Sequence, residues 1–185
     1  MFTESQMALI TSTAQECHDQ HNNEMSVSEK LSANQNFTAA HLSILNYLAQ
    51  ECAAQQSGPL SVYWMATGYN LLHSIHLSGR PLTVEDLLEL GVLIEPDKNA
   101  NGTRRIPVYF DRTGTTLPWE NIDEQLPKLV ESQDQLYPLE FHWYFERNIH
   151  PFADGNGRVG SLLFNFFNKT LGTPLTEREF ATHHE

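Results

Sequence analysis

Residues 150–158 read His-Pro-Phe-Ala-Asp-Gly-Asn-Gly-Arg, and the apolar run Val159, Leu162, Leu163, Phe164, Phe166 and Phe167 follows at once. Proline, aspartate, asparagine and two glycines make the first part a loop. The run after it has the spacing of a buried helix face. The spacing predicts a helix over 157–169 whose positive end faces the loop. Upstream, Pro138 suits the first turn of another helix, which passes through Phe141, His142, Phe145 and Ile149 and delivers the chain to His150. A helix, a loop rich in chemically active groups and a second helix thus form the heart of the expected fold.

Working outward, helical spacing recurs from Phe37 to Ala54, and Ser57-Gly58-Pro59 breaks it. A second long helix is expected over Val62–Leu77, ended by Ser78-Gly79-Arg80-Pro81. Thr83 reads as an N-cap, with Glu85 and Asp86 in the first turn and Gly91 as the C-cap. The stretch Thr103 to Phe110 is β-prone and lies between Asn101-Gly102 and Asp111-Arg112-Thr113-Gly114, so a β-hairpin or a single extended arm is expected. Pro107 confines that arm to an edge. A helix opened by Pro118 should run past Leu126, Leu129 and Val130, distorted or restarted at Pro127. Residues 1–36 are polar and read as one short helix and a loop; 173–185 read as a last short helix or a frayed tail. Neither repeat nor linker is visible. The expectation is a mainly α chain with a small β-hairpin flap at about 101–114, an N-terminal extension at 1–36, one domain over 37–172 and a tail at 173–185.

A chain of 185 residues with 40% hydrophobic and 18% charged residues can bury one core. Its net charge of −12 comes without clustered Lys or Arg, which argues against nucleic acid as a partner. The same acidic field repels phosphates, so a phosphate site must supply its own positive charge. Arg158 and the helix end could do so. Cys17 and Cys52 make neither a disulfide framework nor a zinc pair. The first residues lack the pattern of a secretory signal, and no apolar run reaches membrane-spanning length. A cytoplasmic protein is expected, although delivery into another cell would leave no mark.

The loop residues are suited to holding a phosphorylated substrate on magnesium and moving part of it onto a hydroxyl. His150 is placed to act as general base, since an imidazole titrates near neutral pH; its plainer role is a helix–loop cap. Asp154 is a hard oxygen ligand for Mg²⁺, or an N-cap. Gly155 and Gly157 let backbone approach phosphates, or simply shape the loop. Asn156 adds an amide to that pocket, or forms the turn. Arg158 can offset charge on leaving phosphates, or make a surface salt bridge. Phe152 and Ile149 read as anchors that hold the loop. In the arm, Thr103, Arg104, Arg105, Ile106 and Val108 could take up an extended target segment by main-chain hydrogen bonds, with Arg104 and Arg105 attracting acid or reaching a nucleotide. The alternative is an ordinary surface hairpin.

Taken together, these residues resemble the Fic-domain family, whose core motif is His-Pro-Phe-x-(Asp/Glu)-Gly-Asn-Gly-Arg-x-x-Arg. Positions 150–158 satisfy it, His142 and Phe145 match an upstream His-x-x-Phe, and Gly102 to Arg105 followed by Pro118 match the flap. The resemblance covers about residues 40–170. It implies a Fic-type helical domain that transfers AMP from Mg²⁺-bound ATP to a Ser, Thr or Tyr hydroxyl of a target protein held by the flap. It also implies a donor-binding set of Phe152, Gly155, Asn156, Gly157, Arg158 and Ser161. Ser161 is the departure: the motif has a second Arg there, which contacts the distal phosphates in adenylylating members. Branches without that Arg include phosphotransferase toxins and phosphocholine transferases. Transfer of phosphate, another nucleotide or phosphocholine therefore stays open, as does a silent nucleotide- or protein-binding module. Many relatives restrain themselves with Ser/Thr-x-x-x-Glu-Gly/Asn. Here Ser12 to Glu16 is followed by Cys17 and Thr173 to Glu177 by Arg178, so neither matches fully. A toxin or effector, unrestrained or held by a separate inhibitor protein, is what the resemblance implies.

Overall fold

Helix α1 (Glu4–Asp19) begins at Thr3, whose side chain accepts the Gln6 N–H while Gln6 reaches back to the Thr3 backbone. The computed structural model describes residues 1–110, 114–115, 117–176 and 179. One narrow stripe of α1, Ile10, Ala14 and Cys17, is fully buried. Helix α2 (Met25–Leu31) packs on α1 and on α3 (Ala39–Ala54). The segment before residue 37 thus contains two helices where the sequence suggested one. So little of α1 is apolar that its polar faces masked the period. Phe2 lies beside Phe37, His41 and Tyr69, and Asn70 bonds both its N–H and its carbonyl.

Helix α4 (Leu60–Ser78) packs on α1, α3, α5 and α9 and ends at Gly79 in the left-handed conformation. Thr83 caps α5 (Val84–Ile94) in a capping box with Asp86, which also takes both guanidinium nitrogens of Arg80. The expected stop at Gly91 is corrected: α5 runs three residues further, to Ile94. Gly91 is there to make room, because a Cβ on it would overlap the ring of Phe152. A short turn of helix, α6 (Pro96–Asn99), follows.

The β excursion is smaller than the hairpin expected for 103–110. Strand β1 (Tyr109–Phe110) pairs antiparallel with β2 (Gly114–Thr115), two residues on each side. Residues 103–108 make no ladder, since Arg104 turns inward and Pro107 has no N–H to donate. The turn at 111–113 lies outside the described residues, as do 177–178 and 180–185 of the expected tail. A 3₁₀ turn (Trp119–Asn121) leads into α7 (Ile122–Glu131), which passes Pro127 without a break. Asp123, whose carbonyl loses a partner there, lies on the exposed side.

Helix α8 (Pro138–Trp143) continues as a π-helical turn, Tyr144–Ile149. The last helix, α9 (Asn156–Phe167), is buried along most of its length and packs on α3, α4, α5 and α8. One continuous core runs from Phe2 to Leu171. Among the described residues no helix is long and apolar enough to cross a membrane.

Candidate active site

The π-helical turn decides where His150 points. Its wider i→i+5 hydrogen bonding closes with the His150 N–H on the Phe145 carbonyl at 2.8 Å. His150 then adopts the left-handed conformation, φ 48° and ψ 63°, which costs a non-glycine residue energy and clusters at functional sites. Imidazole Nδ1 lies 2.8 Å from the Glu146 carbonyl. A carbonyl can only accept, so Nδ1 carries the hydrogen and the basic lone pair is on Nε2. Burial pushes the imidazole below the ordinary histidine range, opposed by the Glu146 carbonyl bond and reinforced by the charge of Arg104. At neutral pH the ring is a neutral base.

Arg104 holds the backbone on both sides of that histidine. Its guanidinium donates to the carbonyls of His150 at 2.7 Å, Ile106 at 2.6 Å, Leu117 at 2.7 Å and Ile149 at 3.3 Å. Only 2% of the residue is exposed. The sequence suggested an Arg104 that attracts a target or reaches a nucleotide; here it faces inward and spends its donors on carbonyls. The Arg104 N–H also binds the Pro151 carbonyl at 2.8 Å, which ties the arm to the loop. Thr103 bonds Asp123 at 3.0 Å, and Arg105 pairs with the same carboxylate at 2.8 Å in the open. Ile106 is exposed and Val108 half-buried.

Beneath the loop, Phe152 is buried beside Phe145 and over Gly91. Asn156 accepts the Phe152 N–H and donates to the Phe152 carbonyl, both at 2.9 Å. Its amide therefore closes the turn, and only its backbone is available to a phosphate. Asp154 is gripped by Asn99, which donates to its carbonyl at 3.0 Å and to that of Gly91 at 2.9 Å. The Asp154 carboxylate accepts the Gly155 N–H at 2.6 Å and pairs with Lys98. Burial alone would raise its pKa; Lys98, the Gly155 N–H and Arg158 outweigh that and hold the carboxyl below its usual range. Gly155 has φ 76°, the left-handed region that favours glycine. It opens α9, whose first-turn N–H groups have no partner within the helix and face the loop.

Arg158 makes a buried salt bridge where a surface one was the plainer alternative. Its side chain is 3% exposed, and Nη2 lies 2.9 Å from Glu95 Oε1 and 3.9 Å from Asp154 Oδ1. Its Nε is buried without a hydrogen-bond partner. Two cations, Lys98 and Arg158, thus stand with two carboxylates, Glu95 and Asp154, around the start of α9.

Above this layer opens a cavity of about 710 Å³. Its walls are α3 through Glu51 and Gln55, the π-helical turn through Glu146 and His150, and the loop through Asp154 and Gly157. Ser161 lies on the same wall and donates from Oγ to Glu51 Oε2 at 2.7 Å. Behind His150, His142 is buried with Nε2 3.0 Å from Glu146 Oε2. Burial raises the Glu146 pKa, but His142, Arg147 and His150 pull it below the ordinary range, so it is a carboxylate. A Cβ on Gly160 would come within 2.7 Å of His142 Nε2, which explains the glycine.

His150, Asp154, Gly155, Gly157 and Ser161 therefore share one cavity, while Phe152 and Arg158 support it from below. Glu51, Glu95, Lys98 and Asn99 escaped sequence reasoning, since each meets its partner across 55 or more residues. Among the described residues no group of three or more His, Cys, Asp or Glu could enclose a metal. A single carboxylate, 42% exposed and beside a helix N-terminus, nonetheless fits Mg²⁺, which takes one or two protein carboxylates and completes its shell with water and substrate phosphates. Lys98 already places a positive charge on that carboxylate. A family model described as the Fic/DOC family matches residues 81–168. No curated protein matches the chain.

Proposed function

The chain belongs to the Fic/DOC family through residues 81–168, and from that premise we propose that it transfers AMP from Mg²⁺-bound ATP to a Ser, Thr or Tyr hydroxyl of a target protein. Fic/DOC domains are transferases of phosphate-containing groups, some members being inactive. The observation that carries the activity here is the state of His150: a neutral imidazole, Nδ1–H fixed on the Glu146 carbonyl, at the wall of a cavity of about 710 Å³.

In this reading Nε2 of His150 takes the proton from the acceptor hydroxyl as its oxygen attacks the α-phosphorus. The bond from that phosphorus to the bridging oxygen breaks, and pyrophosphate leaves with its electron pair. First-turn N–H groups of α9 and the glycine backbone receive the phosphate oxygens. Asp154 would hold Mg²⁺, which when bound offsets charge on the donor's phosphates. Arg158, anchored on Glu95, contributes positive potential from beneath the loop. The target lies along residues 105–110, where Ile106 and Tyr109 are exposed. Fic/DOC proteins often pair with antitoxin partners, and a separate inhibitor belongs to this reading of a toxin or effector.

One observation favours a second donor. Ser161 stands where the motif has its second Arg, and its hydroxyl is bonded to Glu51. A carboxylate there disfavours a third phosphate, so a diphosphate-linked donor that delivers a phosphate-containing group such as phosphocholine is the alternative. Mass spectrometry of a lysate treated with the chain and Mg²⁺-ATP tests the first reading. An AMP adduct on a hydroxyl side chain supports it, whereas ATP binding with no adduct on any protein contradicts it.

A further inference from the structure

Lys98 was not among the residues that sequence singled out, yet it is placed with care. It sits in α6 between Glu95 and Asn99, both of which are bonded to the loop or its supports. Glu95 binds Arg158 at 2.9 Å, and the fully buried Asn99 bonds the Asp154 backbone. The turn of α6 is therefore pinned to the loop at both ends. Lys98 is carried between those pins and reaches Asp154 Oδ2, although its own side chain is 58% exposed. A long, solvated ammonium gains little by settling on a surface carboxylate. Here the carboxylate is the one acidic side chain of the 150–158 loop.

We propose that Lys98 is a built-in competitor for the metal position: its ammonium occupies the Asp154 carboxylate when no metal is bound and must be displaced for a divalent cation to bind. The inference rests on the assignment of Asp154 as the metal ligand and goes beyond it. It follows from charge and geometry. Asp154 Oδ1 is already engaged by the Gly155 N–H at 2.6 Å, and Arg158 stands 3.9 Å away. Oδ2 is the remaining oxygen, and Lys98 is on it. A cation arriving at Oδ2 meets a like charge and has to break an ion pair. One arriving with a polyphosphate offers the released ammonium new anionic partners. The bare ion is thereby held weakly, while the ion carried by a donor is admitted.

The test is binding of Mn²⁺ alone to the full chain, followed through the electron paramagnetic resonance signal of the free ion. It compares the wild type with Lys98→Met, Lys98→Arg, Asp154→Asn and the double variant K98M/D154N. Removing the competitor should tighten Mn²⁺ binding about three- to fivefold, the scale of an exposed ion pair. Lys98→Arg should retain the weak affinity of the wild type. Asp154→Asn should abolish the tightened binding in the double variant. Lys98→Met that leaves Mn²⁺ affinity unchanged or lower, with Asp154→Asn still abolishing it, overturns the role of Lys98 and leaves Asp154 as the ligand. Binding that ignores Asp154→Asn in both backgrounds overturns the metal assignment and the competitor with it.

Discussion

His150 acquires its chemistry from its neighbours: a π-helical turn that swings it into a left-handed conformation, a carbonyl that fixes its tautomer, and burial that keeps it neutral. The pH dependence follows in sign. The imidazole pKa is lowered in the folded chain, and in the proposed reaction the neutral form is the base that protonation removes. Transfer should therefore rise with pH and level off with a midpoint below the ordinary histidine value of about 6.5. A rate profile between acid and neutral pH checks this; a midpoint above the ordinary value would contradict it. Arg104 yields a stability prediction. Arg104→Ala removes the guanidinium donor from the carbonyls of His150, Ile106 and Leu117 in a partly buried layer. The expected loss is about 2–4 kcal/mol, read from denaturant unfolding. At this scale the sequence was half legible. His150 and Asp154 stand in an ordered nine-residue run, so their chemistry shows locally. Arg104, Glu95 and Lys98 work only by meeting groups 46, 63 and 56 residues away.

At the scale of elements, the contact between α5 and the loop matters most. Gly91 lets the Phe152 ring pack against the helix, and Phe152 in turn holds the backbone that Asn156 and Asn99 close. Gly91→Ala should cost about 1–3 kcal/mol by overpacking, despite alanine's better helix propensity. Because the displaced ring supports the loop, the transfer rate should fall in the same variant at temperatures where it remains folded. Thermal melts and initial rates measure the two effects separately; a variant more stable than the wild type would refute the packing account. Thr83, Pro138 and the apolar run of α9 announced their elements in the sequence, since caps and periodicity are local signals. Gly91 did not, because a glycine that ends a helix and one that clears space for a distant ring read alike. The flap was also overread: β-prone composition at 103–110 lost to the inward pull of Arg104.

At the scale of the whole molecule, the first 36 residues belong to the same core as the 150–158 loop. Phe2, Ile10, Ala14, Cys17, Val27 and Leu31 are buried within one cluster that continues to α9. Each large side chain of this kind is worth about 2–5 kcal/mol, and total stabilities are only about 5–15 kcal/mol. Deleting residues 1–36 should therefore abolish cooperative unfolding, as seen by calorimetry; a truncated chain that melts like the full one would contradict this. Polar composition hid that role, since a helix needs only one buried stripe to be held. The proposed function at this scale depends on the open cavity between α3, the π-helical turn and α9, and above all on which group is transferred. The most direct test uses ATP labelled at the α- or at the γ-phosphate, with Mg²⁺ and lysate, for the wild type and His150→Ala. Label transferred to protein from the α-position alone, and reduced by about 10²–10⁴-fold in the variant, is the predicted result. Label arriving from the γ-position, or α-label undiminished by His150→Ala, would contradict the account.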